Sequence, residues 1–233
     1  MSTAELVEVN RLLAKLPVQE YQLLEPHLRP VSLPLSTILF HPDDLVQTVY
    51  FPTTCIVSLL TSLEDGTGME VGLVGKEGMA GISSILGGAE TKVGTVQAEG
   101  MALKTSADVV RQVFSRGGEF QTQLLRYTHE LMTQISQSVV CNVRHPVEGR
   151  LARWLLMYSD RLGRNEFELT QEFVANMLGV RRASVSEVAG RLQQLGLIEY
   201  SRGRVVIVDR PGLEALTCEC YPVVKQKFEE FLL

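Results

Sequence analysis

Between Leu169 and Asp209 the chain reads LTQEFVANMLGVRRASVSEVAGRLQQLGLIEYSRGRVVIVD, and its hydrophobic pattern changes period along the way. Val174, Met177 and Leu178 recur at helical spacing after Thr170, whose hydroxyl suits an N-cap, and Glu172, which puts negative charge in the first turn. Gly179 supplies a positive φ that ends this helix in a tight turn, and Val180 packs back beneath it. A second helix is predicted from Arg181 to Gln194. Val185, Val188, Leu192 and Leu195 fill one arc of its wheel, while Ala183, Ser186, Glu187, Gly190 and Gln194 fill the opposite, small and polar arc. Gly196 closes it. Leu197 to Asp209 then alternates apolar and polar residues and is split by Ser201-Arg202-Gly203-Arg204, the signature of a hairpin with a basic tip.

Upstream the pattern differs. Helical character over Thr3–Leu16 and Val18–Leu24 gives way, from Val31 to Leu103, to Gly, Thr and Val in short alternating runs such as Val49-Tyr50-Phe51, Ile56–Thr61, Met69–Val74 and Gly94–Ala98. Turn signals at Glu64-Asp65-Gly66, Gly75-Lys76-Glu77-Gly78 and Gly87-Gly88 punctuate them, as in a β-roll or barrel-like sandwich. Helix resumes over Thr105–Phe114. A long helix from Glu119 to about Val143 carries Phe120, Leu124, Leu131 and Ser138, with Thr128 and Ile135 interleaved, at three-to-four-residue spacing. Pro146 stops it, and Val147–Arg161 forms another helix with Leu151, Trp154, Leu155 and Tyr158 on its packing face. These elements divide the 233 residues into a β-rich unit (1–117), a long helix and hinge (118–145) and a helical unit ending in a hairpin (146–233).

Charge is unevenly placed. The chain carries −5 in all, but residues 144–210 hold eleven arginines and no lysine against eight acidic residues, a local +3. Helix, glycine turn, second helix and basic hairpin in that order are the layout of a winged helix-turn-helix for double-stranded DNA. Arg181 and Arg182 at the second helix's start can reach guanine edges or phosphates. Ser184, Ser186 and Glu187 face the groove with them, and Arg202 and Arg204 suit the phosphate backbone. A two-fold DNA site needs two such helices about one DNA turn apart, so the long helix is expected to pair with that of a second copy through Leu124, Leu131 and Ile135.

No run approaches the roughly 18 apolar residues of a membrane span, and MSTAELVEVN lacks a signal-peptide pattern, so a cytoplasmic protein without a membrane partner is expected. No Walker loop, nucleophile elbow or dinucleotide fingerprint is found, which argues against an enzyme; a ligand-gated protein-interaction module is the other alternative. Cys218-x-Cys220 invites a metal reading. Metal knuckles usually space cysteines by two or more, however, and Cys55 and Cys141 lie in distant elements, so no metal is expected and buried or redox-responsive thiols are. His27, His41, His129 and His145 show no HxxxH or HxxE pattern and support no haem ligand.

The helix-turn-helix stretch, the SRGR tip and the preceding β-rich half and long helix together resemble the Crp/Fnr superfamily of bacterial transcription regulators. That resemblance implies an α+β fold: an antiparallel, cyclic-nucleotide-binding-like β-roll, a long dimerisation helix and a C-terminal winged helix-turn-helix domain. DNA, a second copy of the chain and RNA polymerase are the implied partners, with a small-molecule effector of unassigned identity. Members often begin the recognition helix with Arg-Glu and place another Arg one turn later. Here Arg182 is retained, whereas Ala183 and Glu187 depart. Cyclic-nucleotide binders hold the ribose with Gly-Glu and the phosphate with Arg followed by Ser or Thr. In GKEGMAGISSILGGAETKVGTVQA, Ala80 stands at the Glu position and Lys92-Val93 replace Arg-Ser, which argues against cyclic AMP and leaves Glu77 and Lys92 as candidate effector contacts. The N-terminal cysteine cluster of Fnr-type members is absent.

Overall fold

The computed structural model describes residues 2–62 and 68–231, with the side chain of Phe231 excepted, so the expected turn at Glu64-Asp65-Gly66 lies outside the described residues. The chain opens with α1 (Thr3–Val9), α2 (Arg11–Ala14) and α3 (Val18–Leu24). The expected single helix breaks at Asn10, a buried amide whose Nδ2 donates to the carbonyls of Pro52 and Gly78 and whose Oδ1 accepts from Leu13 N–H. Leaving those groups unpaired in the core would cost more than one interrupted helix.

Strands β1 (Arg29–Leu33), β2 (Ile38–Phe40), β3 (Thr48–Pro52), β4 (Ile56–Ser62), β5 (Gly68–Val74), β6 (Val93–Ala98) and β7 (Gly100–Ser106) form two antiparallel sheets of order β1-β7-β3 and β2-β6-β4-β5. This is the expected β-roll. Between β5 and β6 lies one short helix, α4 (Ser83–Leu86). Then α5 (Ala107–Phe114) starts under a Ser106 cap, so Thr105 belongs to a strand and not to the helix.

The long helix α6 (Glu119–Arg144) begins where the Glu20 carboxylate of α3 accepts the N–H groups of Glu119 and Phe120, at 2.9 and 2.6 Å. Its identity and length match expectation; its outward face does not. Leu124 and Leu131 are buried and Ile135 is half-buried against the chain's own β-roll: a Cβ on Gly72 of β5 would sit 3.5 Å from Leu131 and 3.6 Å from Ile135. Tyr127 lies flat on the Gly75–Gly78 turn, so closely that a Cβ at Gly78 would overlap its ring. The exposed residues of α6 include a neighbouring stripe, Leu125, His129, Met132, Ser136, Val139 and Val143, spaced alternately by four and three, with Arg126, Val140 and Arg144 exposed beside it. Met132 is 62% and Val143 78% exposed.

Beyond Pro146, α7 (Val147–Leu162) buries nearly its whole length. The strand β8 (Glu166–Glu168) leads to α8 (Gln171–Leu178), α9 (Arg182–Gln194), the hairpin β9 (Ile198–Ser201) and β10 (Arg204–Ile207), then α10 (Arg210–Leu216) and α11 (Cys220–Phe231). The last three strands make a sheet of order β8-β10-β9. Among the described residues, no helix is long and apolar enough to cross a membrane.

The β-roll and the C-terminal unit share one core, and polar contacts cross between them. Trp154 Nε1 of α7 donates to Glu70 Oε1 of β5 at 2.7 Å, Ser58 of β4 donates to Glu70 Oε2 at 2.7 Å, and Tyr158 donates to the Gln97 carbonyl at 3.2 Å. Burial pushes the Glu70 carboxyl up to about 7, against the opposing pull of Ser58, Trp154 and Arg161. Between its ordinary 4.5 and about 7 the unfolded chain therefore binds fewer protons at this position than the folded one. Stability from Glu70 is complete below this window, falls as pH rises through it and levels off above, a loss of about 3 kcal/mol. Glu70→Gln keeps an acceptor for Trp154 and cannot ionise. Denaturant unfolding at pH 5 and pH 7.5 should show wild-type stability dropping and the variant's nearly constant; parallel curves would refute the assignment.

Candidate nucleic-acid interface

Thr170 caps α8 by accepting Phe173 N–H at 3.2 Å, and Gly179 ends the helix with φ +61 while Val180 N–H returns to the Ala175 carbonyl. Three residues later α9 is under way, with Arg181 in extended conformation at its N-cap. Val185, Val188, Ala189 and Leu192 are buried, whereas Leu195, expected on the packed arc, is exposed because the helix ends there as a cap. The wing turn is the two-residue loop Arg202-Gly203, both at positive φ (+50 and +82), joining β9 to β10 with Ser201 paired to Arg204. That geometry is the type I′ hairpin turn, which matches the strand twist.

These elements bring the anticipated DNA-contacting residues onto one side of the C-terminal unit, in two settings. Arg182, Ser186 and Glu187 are exposed on the outward face of α9 with Ala183, and Gly190 is half-buried beside them. A Cβ at Gly190 would meet nothing, so no packing within the chain calls for glycine there, although a helical glycine costs about 0.5–1 kcal/mol. Arg182 and Arg202 flank a cleft of about 510 Å³, floored by Thr170, Gln171 and Tyr200 and open at the N-terminus of α8. The positive end of the helix and two guanidinium groups thus converge on one opening, with Glu172 of the first turn also on its lining. Ser186 is tied to Gln171 across the helix pair.

Arg181 and Ser184 face elsewhere, bordering a groove of about 1160 Å³ between α8–α9 and the ends of β4 and β5. Arg204 is exposed but paired with Glu166 of β8 at 2.7 Å, which lowers the Glu166 pKa. Arg191 pairs with Glu148 of α7 at 3.3 Å. The floor residues Thr170 and Gln171 were not singled out as contacts from sequence. The signal was present in the N-cap itself, since a capped helix start is also an anion site.

The two candidate effector residues are separated by the fold. Glu77 is buried, pairs with Arg161 of α7 at 2.9 Å and accepts Gly75 N–H at 3.1 Å, so its carboxylate is engaged within the chain, at the wall of a cavity of about 180 Å³ away from Lys92. Its place in a glycine turn suggested an exposed carboxylate; burial beneath α7 overrides that. Lys92 reaches Glu90 at 3.7 Å on the rim of a cavity of about 120 Å³ lined by Phe40, Leu59, Ile82, Leu131 and Ile135. Glu90 is itself buried and accepts the N–H groups of Thr91 and Lys92.

Cys141 and the Cys218-x-Cys220 pair, far apart in sequence, meet in space. Cys141 Sγ stands 3.5 Å from Cys218 Sγ, which corrects the expectation that they lie in unconnected elements. Burial raises the Cys141 and Cys220 thiols, Cys220 to about 12. Cys55 is separate, buried in the β-roll with its thiol likewise pushed up to about 12.

Comparison with known proteins agrees with this geometry. A family model described as a Crp-like helix-turn-helix domain matches residues 149–216, which span α7 to α10. A CRP-like cAMP-activated global transcriptional regulator of Mycobacterium tuberculosis is 25% identical over 198 residues, 82% of this chain and 88% of that protein. FixK2 from Bradyrhizobium japonicum shares the fold at TM-score 0.72 and 16% identity, over 82% of this chain and 98% of that one. A structure assigned to the Crp/Fnr family from Eubacterium rectale does so at TM-score 0.64 and 20% identity, over 88% and 96%. The chain thus carries a Crp-like helix-turn-helix domain, is similar along most of its length to a Crp-like transcriptional regulator, and shares its β-roll, long helix and winged unit with structures of that fold.

Proposed function

We propose that the protein is a cytoplasmic homodimer that reads an inverted-repeat DNA site through α9 and its wing, and addresses RNA polymerase from that site. The observation that carries this reading is the cleft where Arg182 and Arg202 converge on the capped N-terminus of α8, beside an α9 face of small residues. Arg182 reads guanine from the start of the helix. Arg202 holds phosphate, and Arg204 joins it by exchanging its exposed Glu166 partner for the backbone. Ser186 and Glu187 line the base-facing side, while Arg181 and Ser184, at the groove beside β4 and β5, contact flanking backbone.

Dimerisation follows from the exposed stripe of α6. Leu125, Met132, Val139 and Val143 with His129 and Ser136 make a seam of alternating four- and three-residue spacing, which two parallel helices bury by knobs-into-holes packing. For the β-roll, a small apolar cavity whose charged residues, Glu90 and Lys92, offset each other gives a cyclic phosphate no net positive site. This supports an effector other than cyclic AMP.

Two measurements test the reading. Met132→Glu should sediment as a monomer with native circular dichroism, because it charges the exposed seam and leaves the buried stripe intact; a dimer would displace the interface from α6. Arg182→Ala should cost about 1–3 kcal/mol on the preferred site and little on scrambled DNA. Arg202→Ala should weaken both DNAs alike and make the salt dependence shallower by about one ion per subunit. Equal proportional losses on both DNAs for Arg182→Ala would show that the base reader lies elsewhere.

A further inference from the structure

Where α6 ends and α11 begins, four side chains of metal-ligand type converge. Cys141 sits in the last turn of α6, His145 is that helix's C-cap, and Cys218 and Cys220 lie at the entry to α11. Their Sγ and imidazole nitrogen atoms all fall within 4.8 Å of one another, with Cys141 Sγ 3.5 Å from Cys218 Sγ and Cys220 Sγ 3.6 Å from His145 Nδ1. A tetrahedral zinc ion with bonds of about 2.3 Å to sulfur and 2.0 Å to nitrogen has ligand-to-ligand edges of about 3.5–3.8 Å. Two of the six spacings match these edges, and none exceeds them by more than about 1 Å.

From this geometry we infer a mononuclear Cys3His site for Zn2+, formed by Cys141, His145, Cys218 and Cys220. Its surroundings have the features of a built site. His145 turns Nδ1 toward the thiols and Nε2 toward the Glu219 carboxylate, 3.4 Å away, the carboxylate–histidine–metal arrangement that fixes the ring's tautomer and strengthens it as a ligand. Three thiolates and Zn2+ carry one net negative charge. Arg153, anchored by Ser138 at 3.0 Å, exerts its positive charge on Cys141 and Cys220, and Arg150 exerts its own on Cys141. Cys141 and Cys220 are buried, while Cys218 and His145 are half-buried, so an ion has an entry side.

Two other uses of these residues fit less well. A disulfide between Cys141 and Cys218 needs sulfur atoms at about 2.05 Å and leaves Cys220 and His145 converged for no reason. An iron–sulfur cluster spreads its ligands around a multi-iron core, whereas these meet at one point.

The placement gives the site a consequence. His145 and Pro146 are the joint between α6 and α7, and the loop carrying Cys218 passes close over the start of α7, where a Cβ on Gly149 would stand 3.6 Å from Cys218 N. A bound ion staples the C-terminal end of the DNA-binding unit to the end of the seam helix and fixes the joint between them. Zinc occupancy then sets the angle at which α9 is presented. This consequence rests on the proposed DNA-reading role of α9; the metal site does not.

The test uses the full chain, purified anaerobically under reducing conditions, stripped with chelator and titrated with Zn2+ or Co2+. One ion per chain is expected, with Co2+ giving intense tetrahedral visible bands and sulfur-to-cobalt charge transfer. Cys218→Ser, at a half-buried position, should lower Zn2+ affinity at least tenfold and Glu219→Gln about tenfold, whereas Cys55→Ser should leave it unchanged. Chelation should increase hydrogen exchange in 141–149 and 216–221. Failure to retain zinc, an octahedral cobalt spectrum, an iron–sulfur chromophore, a Cys141–Cys218 disulfide that persists in reductant, or equal effects of Cys55→Ser and Cys218→Ser would each overturn the site. Unchanged exchange on chelation would overturn its control of the joint. Affinity for the preferred DNA, measured with and without zinc, stands apart: tight zinc binding by a protein that binds no DNA would count against α9 as reader and leave the metal site standing.

Discussion

The buried guanidinium of Arg161 is the contact on which the relation between the two halves depends. From α7 it faces Glu77 in the β-roll turn at 2.9 Å, donates to Gln134 of α6 at 2.8 Å and to the Met157 carbonyl at 3.0 Å, and lies 5.5 Å from the Phe228 ring of α11. One side chain therefore holds the roll, α6 and the C-terminal helix to α7. Removing one member of a buried ion pair costs about 3–5 kcal/mol, since the other charge is left without compensation. The turn is shaped for this pair. A Cβ at Gly75 would stand 2.8 Å from both Arg161 Cβ and Glu77 Oε2, so close approach requires glycine at that position.

Once α7 is fixed, the placement of the DNA-facing surface follows. Arg150 of α7 donates to the Leu178 carbonyl, at the end of α8, and Ser58 contacts Met177 at 3.8 Å, so the first helix of the pair lies against the roll. The second helix has its apolar arc covered by α7 and α8, and only its small, polar arc is left for a partner. Glu77, which the sequence offers as an effector contact, is used up in this arrangement. Its neighbours in the turn are glycines because α6 and α7 both press on it, not because a phosphate does.

What was legible in the sequence was local. Thr170, Gly179 and the Arg202-Gly203 pair carry their own capping and turn chemistry, so the helix pair and wing appear where the residues place them. The face of α6 was not legible, since 124/131/138 and 125/132/139 have the same period, and only the position of the chain's own β-roll decides which stripe is covered. Strands β1, β2, β7 and β8 were not singled out: β1, β2 and β8 are short and lie at sheet edges, β1 with a proline in it, whereas β7 is central but follows β6 after the single residue Glu99. Cys141 and His145, four residues apart, form one side of a ligand set readable on a single helix. Their partners, some seventy residues on, become visible only when α11 folds back beside α6.

Within the apolar core that runs through both halves, buried polar pairs also link α7 to the elements beneath it: Arg161 with Glu77, Trp154 with Glu70, Tyr158 with Gln97, Arg153 with Ser138. Apolar packing tolerates small slides, since its energy depends on area and not on direction. Matched polar contacts do not, because each partner left unpaired in the core costs about 1–3 kcal/mol. A displacement of α7 against the roll therefore breaks several such contacts at once. A proton on Glu70 changes one member of this set, and the contact it alters is the one that holds Trp154 of α7 to β5. Because α7 carries these bonds and also holds the end of α8 through Arg150, the directional contacts beyond Pro146 tie the placement of the helix pair to that of the roll.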